Sequence, residues 1–159
     1  DGNMITAHKR ANSNINYGIV GDIDEVNQEF IQQQLANQLR LVVAPITHDG
    51  AGQLLNTNAD TIAQSIAFAM SGLYQVHLVY GFEKEGVLAD VNNEDSVISS
   101  INNLTYSQLK KENVIFEGMI PKIDNAFLAL HGGVQSVIIG KAEKLIELMN
   151  GTAGTTITN

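Results

Sequence analysis

Gly118-Met119-Ile120-Pro121-Lys122-Ile123-Asp124-Asn125-Ala126-Phe127-Leu128-Ala129-Leu130-His131-Gly132-Gly133-Val134-Gln135-Ser136-Val137-Ile138-Ile139 is a helix pattern that runs straight into a strand pattern. Ile120, Ile123, Ala126, Phe127 and Leu130 recur at helical spacing and mark one apolar face. Gly132-Gly133 stops the helix, because glycine takes the left-handed conformation that helix ends favour. Residues 134–139 then form a short apolar run, which reads as a buried strand.

The same alternation extends in both directions. Upstream, Ile62, Ile66, Ala69, Met70 and Leu73 mark a helix face, and residues 76–80 read as a strand followed by a loop over 81–88. A short strand over 97–101 and a short helix over 106–111 follow. Downstream, residues 142–149 read as a helix and residues 155–158 as a last strand. Nearer the start, residues 3–9 and 15–20 read as a hairpin around a polar Asn/Ser turn. Asp22 or Asp24 then caps a helix with Val26, Phe30, Ile31 and Leu35 on its apolar side. Residues 39–46 read as a strand, stopped by Thr47-His48-Asp49-Gly50, with a second arm at 53–55.

Strands alternating with helices predict an α/β fold, a three-layer αβα sandwich with a mainly parallel open sheet plus β-hairpins. The expected organisation is one lobe over 1–159, with a hairpin at 1–22 and the αβα core at 23–159. In such sheets ligands sit beyond the carboxyl ends of the strands, which points to residues 44–60, 80–88 and 140–141.

Composition narrows the partners. A hydrophobic content of 44% against 16% charged residues is that of a globular protein. A net charge of −8 argues against nucleic acid or an anionic membrane, both of which reward clustered Lys and Arg. No apolar run reaches the roughly 20 residues that span a bilayer. No secretory pattern opens the chain, so a cytoplasmic location is expected. With no cysteine, thiolate chemistry is excluded. His8, His48, His77 and His131 lack metal-ligand spacing, and no metal site is assigned. His77, within a strand, reads as packed or hydrogen-bonded.

Lys122 falls in the first turn of its helix, just after Pro121, which fits a first helical position. A cation at that end of the helix dipole is unfavourable by about 0.3–1 kcal/mol. Either Asp124 offsets an exposed Lys122, or the ammonium and the helix amides together face a phosphate. In Asn56-Thr57-Asn58-Ala59-Asp60, Asn58 reads as an N-cap and Asp60 suits the first turn, whereas Asn56 precedes the cap. Asn56 is free to present an amide to a substrate carboxylate. Glu83-Lys84-Glu85-Gly86-Val87-Leu88 is by default a solvated charged loop, though its place after a strand suits a nucleotide.

These segments, in this order, resemble the acetylglutamate kinase branch of the amino acid kinase family. The matching stretches are Asn56-Thr57-Asn58-Ala59-Asp60-Thr61, Glu85-Gly86-Val87-Leu88, Gly118-Met119-Ile120-Pro121-Lys122 and Gly132-Gly133-Val134. Asp1-Gly2-Asn3 and Tyr17-Gly18-Ile19-Val20-Gly21-Asp22 look like the hairpin before the family's C-terminal lobe. The resemblance implies an enzyme that transfers the ATP γ-phosphoryl to the side-chain carboxylate of an N-acyl-L-glutamate, in arginine biosynthesis. It implies that Lys122 stabilises charge on the transferring group, Asp60 orients the catalytic lysines and Asn56 holds the acylglutamate. Nucleotide-lining roles fall to Glu83, Lys84, Glu85, Gly86, Val87 and Leu88, to Val114, Ile115 and Phe116, and to Gly118 and Met119. The implied cofactor is Mg2+, carried mainly by the phosphates of ATP.

Where the family usually has Ser/Thr-Asp at the start of the nucleotide loop, this chain has Phe82-Glu83. The family's lysine-glycine-glycine segment, second glycine loop and substrate-binding arginine have no counterpart here. The expectation is therefore the C-terminal, ATP-binding part of a larger enzyme, homo-oligomeric when whole, whose N-terminal substrate lobe, a part of the same enzyme absent from this chain, is a partner without which this chain is inactive. The alternatives are another member of the family, such as glutamate 5-kinase, aspartokinase or carbamate kinase, or a non-catalytic nucleotide-binding module.

Overall fold

A computed structural model describes residues 3–11, 14–115 and 118–158. They form two compact units, Asp1–Ala69 and Met70–Asn159.

In the first unit, β1 (Ile5–Lys9), β2 (Gly21–Val26), β3 (Ile46–His48) and β4 (Leu54–Asn56) form one sheet in the order β2-β1-β3-β4. β1 runs antiparallel to β2 and parallel to β3, and β3 is antiparallel to β4. Helix α1 (Gln28–Ala36) follows β2, and α2 (Ala59–Ser71) follows β4.

The second arm of the first hairpin differs from the expected 15–20. Asn16 Oδ1 accepts the Gly18 amide at 2.9 Å, and Gly18 takes a φ of +65°. That side-chain turn lengthens the connection, so the strand begins only at Gly21. Asp22 and Asp24 therefore alternate along β2 instead of capping a helix. His8 pairs with Asp22 in register, and Arg10 Nη2 meets Asp22 at 2.5 Å while His8 Nδ1 meets Asp24 at 2.6 Å. The cap of α1 is Asn27, whose Oδ1 accepts the Phe30 amide at 2.9 Å.

The run expected as a strand at 39–46 is strand only from Ile46 onward. Pro45 has no amide to donate, and Val42 is 98% exposed, so neither ladder nor core holds the segment.

The second unit orders its strands β5-β7-β8-β6, with β5 (His77–Phe82), β6 (Ser100–Ile101), β7 (Ser136–Lys141) and β8 (Thr155–Ile157). β5 and β7 are parallel, as are β6 and β8, while β7 and β8 are antiparallel. Val137, Ile138, Ile139 and Gly140 are all buried. Successive strand residues face opposite sides, so β7 is covered on both faces, as the middle layer of a sandwich must be. The cover comes from α4 (Ile120–His131) and α5 (Leu145–Met149), which both pack on β7. α3 (Asn103–Lys111) precedes α4, and a 3-10 turn, Ala142–Lys144, precedes α5.

Ile123, Ala126, Phe127 and Leu130 are the buried face of α4, as their spacing predicts. Gly133, at a φ of +96°, ends the helix: its amide bonds Leu130 O at 3.0 Å and the Val134 amide bonds Ala129 O at 3.1 Å. The α/β layers thus stand as read, with strand directions more mixed than a mainly parallel sheet. Among the named strands three pairings are parallel and three antiparallel.

Candidate functional site

The candidate residues divide between the two units. Asn56 and Asp60 lie in the first, on the bend joining β4 to α2. A chain of hydroxyls pins this bend: Thr47 Oγ1 and Thr57 Oγ1 are 2.8 Å apart, and Thr57 donates to Gly21 O at 3.2 Å. Because Thr57 gives its proton to Gly21, Thr47 is the donor to Thr57. Both threonines are buried, so each hydroxyl must find a partner. Gly21 is held so close that a Cβ there would lie 2.8 Å from Leu55 Cβ and 2.9 Å from Thr57 Oγ1.

Asn56 is left exposed at the end of β4, with its backbone N–H donating to Ile19 O at 2.8 Å. Asn58 caps α2 through its Oδ1, which accepts the Thr61 amide at 3.0 Å. Asp60 sits half-buried in the first turn, at the positive end of the helix. Sequence reasoning passed over Thr57, although a threonine flanked by two asparagines, before a helix, is a signal of a pinned bend.

In the second unit, residues from three separated segments surround one cavity of about 330 Å³. Phe82, the last residue of β5, and Glu83, Lys84, Gly86, Val87 and Leu88 supply one wall. Val91, Val114, Ile115 and Met119 supply the other. The walls are mainly aliphatic, with one carboxylate and one ammonium at the rim, a surface suited to a flat apolar ring carrying a polar tail. Val114 and Ile115 arrive there because Asn113, just past the C-cap Glu112 of α3, takes a φ of +54° and closes the helix as glycine would. Phe116 lies outside the described residues, and Gly118 and Glu85 do not line the cavity.

Lys122 stands in the first turn of α4, half-buried, with Nζ 5.2 Å from the centroid of the buried Tyr80 ring. That turn carries no acidic residue, and its N-cap, Met119, makes no side-chain capping bond. Asp124 accepts the Tyr106 hydroxyl at 2.7 Å. Burial, then this bond, raises the Tyr106 phenol well above its ordinary range. His77 bonds Ser136 through the ring, Nδ1 to Oγ, at 2.7 Å.

The Glu85 carboxylate is turned toward the end of β7 and the turn after it. Lys144 Nζ lies 2.6 Å from one of its oxygens and Lys141 Nζ 3.5 Å from the other. The hydrogen bond from Lys144 pulls the Glu85 carboxyl below its ordinary value, and Lys144 is raised by the same bond. Lys144 was not among the sequence candidates; its i, i+3 spacing from Lys141, just beyond a strand, was the available signal. Lys84 reaches Glu94 at 3.5 Å. Among the described residues no group of three or more His, Asp or Glu side chains is placed to hold a metal ion. No helix of the described residues is long and apolar enough to cross a membrane.

A cavity beside the carboxyl end of a parallel strand, in a sheet covered by helices on both faces, defines an α/β protein with its cavity where such sheets place their ligand sites. The model of the amino acid kinase family matches residues 2–141, and the chain belongs to that family. It is 51% identical over 151 residues to an acetylglutamate kinase of Cytophaga hutchinsonii, covering 94% of this chain and 57% of that protein. A Phocaeicola vulgatus acetylglutamate kinase is 44% identical over 147 residues, covering 92% of this chain and 57% of its own. The chain therefore spans a little over half the length of these relatives.

Among solved structures, smu.665 from Streptococcus mutans is 28% identical with a TM-score of 0.77, covering 98% of this chain and 56% of that one. N-acetylglutamate synthase from Neisseria gonorrhoeae shares the fold at a TM-score of 0.83 and 22% identity, covering 99% of this chain and 37% of that one.

Proposed function

We propose that this chain is the ATP-binding, C-terminal part of a cytoplasmic N-acylglutamate kinase that serves arginine biosynthesis. The observation that carries the proposal is the cavity of the second unit. Glu83, Lys84, Gly86, Val87 and Leu88 meet Val114, Ile115 and Met119, distant in sequence, around one apolar slot, and all of these were singled out by resemblance as nucleotide-lining. In this reading the adenine occupies the slot and the triphosphate runs toward the start of α4. Glu83 and Lys84 sit at the rim.

The reaction asks little covalent chemistry of the protein. A side-chain carboxylate oxygen of the acylglutamate forms a bond to the γ-phosphorus. The bond to the β–γ bridging oxygen breaks, and ADP leaves with the electron pair. The nucleophile is already an anion, so no general base is needed. Catalysis then rests on positioning and on neutralising charge. Lys122 supplies an ammonium beside the open amides of the first turn of α4, where an anion turns two unfavourable terms favourable. Asp60 orients the catalytic lysines, and Asn56 offers amide protons to the acylglutamate. Magnesium neutralises phosphate charge when bound. The donors beside the cavity are few and oxygen-based, which fits an ion held mainly by the phosphates. The acylglutamate is bound chiefly by an N-terminal lobe, with which the whole enzyme forms a homo-oligomer, and this chain alone has negligible turnover.

The test is calorimetric titration of the chain with magnesium-ATP, beside Lys122→Ala, with circular dichroism to verify folding of both. Saturable binding that weakens about tenfold or more in the variant is expected for loss of a charge-assisted phosphate contact. A folded chain that binds no nucleotide contradicts the proposal. Phosphoryl transfer to N-acetylglutamate above a no-protein control would contradict the inactivity of the chain alone.

A further inference from the structure

Glu85 was singled out with the nucleotide-lining residues, yet it is the one member of the 83–88 loop that does not line the cavity. Its two neighbours, Lys84 and Gly86, both do. Its carboxylate instead spans Lys141, the last residue of β7, and Lys144, in the 3-10 turn that follows.

The rest of the loop is held at the same place. The Val87 amide donates to Thr155 Oγ1 at 2.8 Å, and Thr155 is fully buried. Gly86 passes so close to Thr155 and Val97 that a Cβ would lie 2.8 Å from each side chain. On the facing strand, a Cβ on Gly140 would lie 3.1 Å from the Glu85 carbonyl oxygen and 2.5 Å from Leu148 Cδ2. The backbone of the loop is thus pressed against β7 and β8 at residues 85–87, while Glu83, Lys84, Gly86, Val87 and Leu88 line the cavity.

We infer that Glu85 is a positioning residue for nucleotide binding, an ionic brace that ties the cavity's loop to Lys141 and Lys144 and holds it in its binding shape before ligand arrives. This rests on the nucleotide reading of the cavity. The physical argument is one of ordering. A loop that is mobile when empty must be ordered at the moment of binding, and affinity falls by that entropy. Gly86 and Val87 are already held by packing and by the Thr155 bond, so a tether at residue 85 extends that restraint to the start of the loop, at the exposed Glu83 and the half-buried Lys84. The brace contacts no ligand, and its effect passes through Lys84, Val87 and Leu88.

Two measurements on the 159-residue chain test it. The first is amide hydrogen exchange without nucleotide, in wild type, Glu85→Ala and the reciprocal exchange Glu85→Lys/Lys144→Glu. The amides of residues 84–88 should exchange about tenfold faster in Glu85→Ala, as expected for local opening, and return toward wild type in the double variant. The second is magnesium-ATP titration of the same proteins. Affinity should fall about fivefold in Glu85→Ala, the scale of a partly exposed ion pair, and recover in the double variant. A merely structural ion pair would move loop exchange without moving ATP affinity, so loss and recovery of both together mark the positioning role. Unchanged loop exchange in Glu85→Ala overturns the brace. Faster exchange with unchanged ATP affinity overturns its role in binding. A folded wild type that binds no ATP, with exchange responding as expected, overturns the nucleotide reading and the positioning role with it.

Discussion

The loop at residues 83–88 and the stretch at 39–45 show how poorly apolar content alone predicts order. The loop opens with Glu-Lys-Glu and reads as solvated, yet its last three residues are buried. The stretch at 39–45 contains Leu39, Leu41, Val42 and Val43 and reads as a strand, yet Leu39 is 51% exposed and Val42 is 98% exposed. The difference lies in what each segment meets. The loop finds a buried hydroxyl for an amide at Thr155, two close-packed glycines and two lysines for its carboxylate. The other stretch ends in Pro45 and joins no ladder among the described residues. A chain segment is fixed by partners that satisfy its backbone and fill its flanks, and those partners are usually distant in sequence.

If this contrast is right, changes around the loop will be costly and changes in the open stretch will not. The largest effect is expected at Gly154, which follows α5 with a φ of +79°; a Cβ there would lie 2.7 Å from Ile139 O and 2.5 Å from Leu148 Cδ2. Gly154→Ala combines backbone strain with overpacking and should cost about 2–4 kcal/mol, read from a urea titration. A loss under about 0.5 kcal/mol, the scale of an ordinary surface change, would mean that β7 and β8 do not press on this turn as described.

A smaller effect is expected from Thr155→Val, which keeps the shape but removes the acceptor of the Val87 amide. A buried amide left unpaired should cost about 1–3 kcal/mol. The same titration measures it, and hydrogen exchange should place the loss at residues 87–88. The smallest effect is expected from Val42→Ser, which should change stability by no more than about 0.5 kcal/mol. A loss of several kcal/mol there would show that the open stretch is packed after all and would remove the contrast.

The same principle separates what could be read in the sequence from what could not. Helix α4 and strand β7 were legible because their periodicity is local: Ile123, Ala126, Phe127 and Leu130 face one way, and Gly133 closes the helix where two glycines announced it. The α/β class followed from repeating that reading along the chain. The second arm of the first hairpin was misplaced because the Asn16 side chain redirects the turn at Gly18, a bond that no hydrophobic pattern reveals. Asp22 and Asp24 looked like caps for the same reason, since only the strand register shows that they face Arg10 and His8.

At the candidate site, Lys122, Asp60 and Asn56 stood out through short motifs. The meeting of Glu83, Lys84 and Gly86–Leu88 with Val114, Ile115 and Met119 is a tertiary fact, and so is the pairing of Glu85 with Lys144, 59 residues apart. Resemblance marked the segments, and the fold shows which of their residues line the cavity.

The central claim is that the cavity of the second unit is where the nucleotide base binds. Photolabelling with 8-azido-ATP and magnesium, followed by peptide mapping, tests it most directly. The account predicts label on peptides carrying residues 83–91 and 114–119, suppressed by excess ATP. Label confined to the Asp1–Ala69 unit, or label that excess ATP does not suppress, would contradict it.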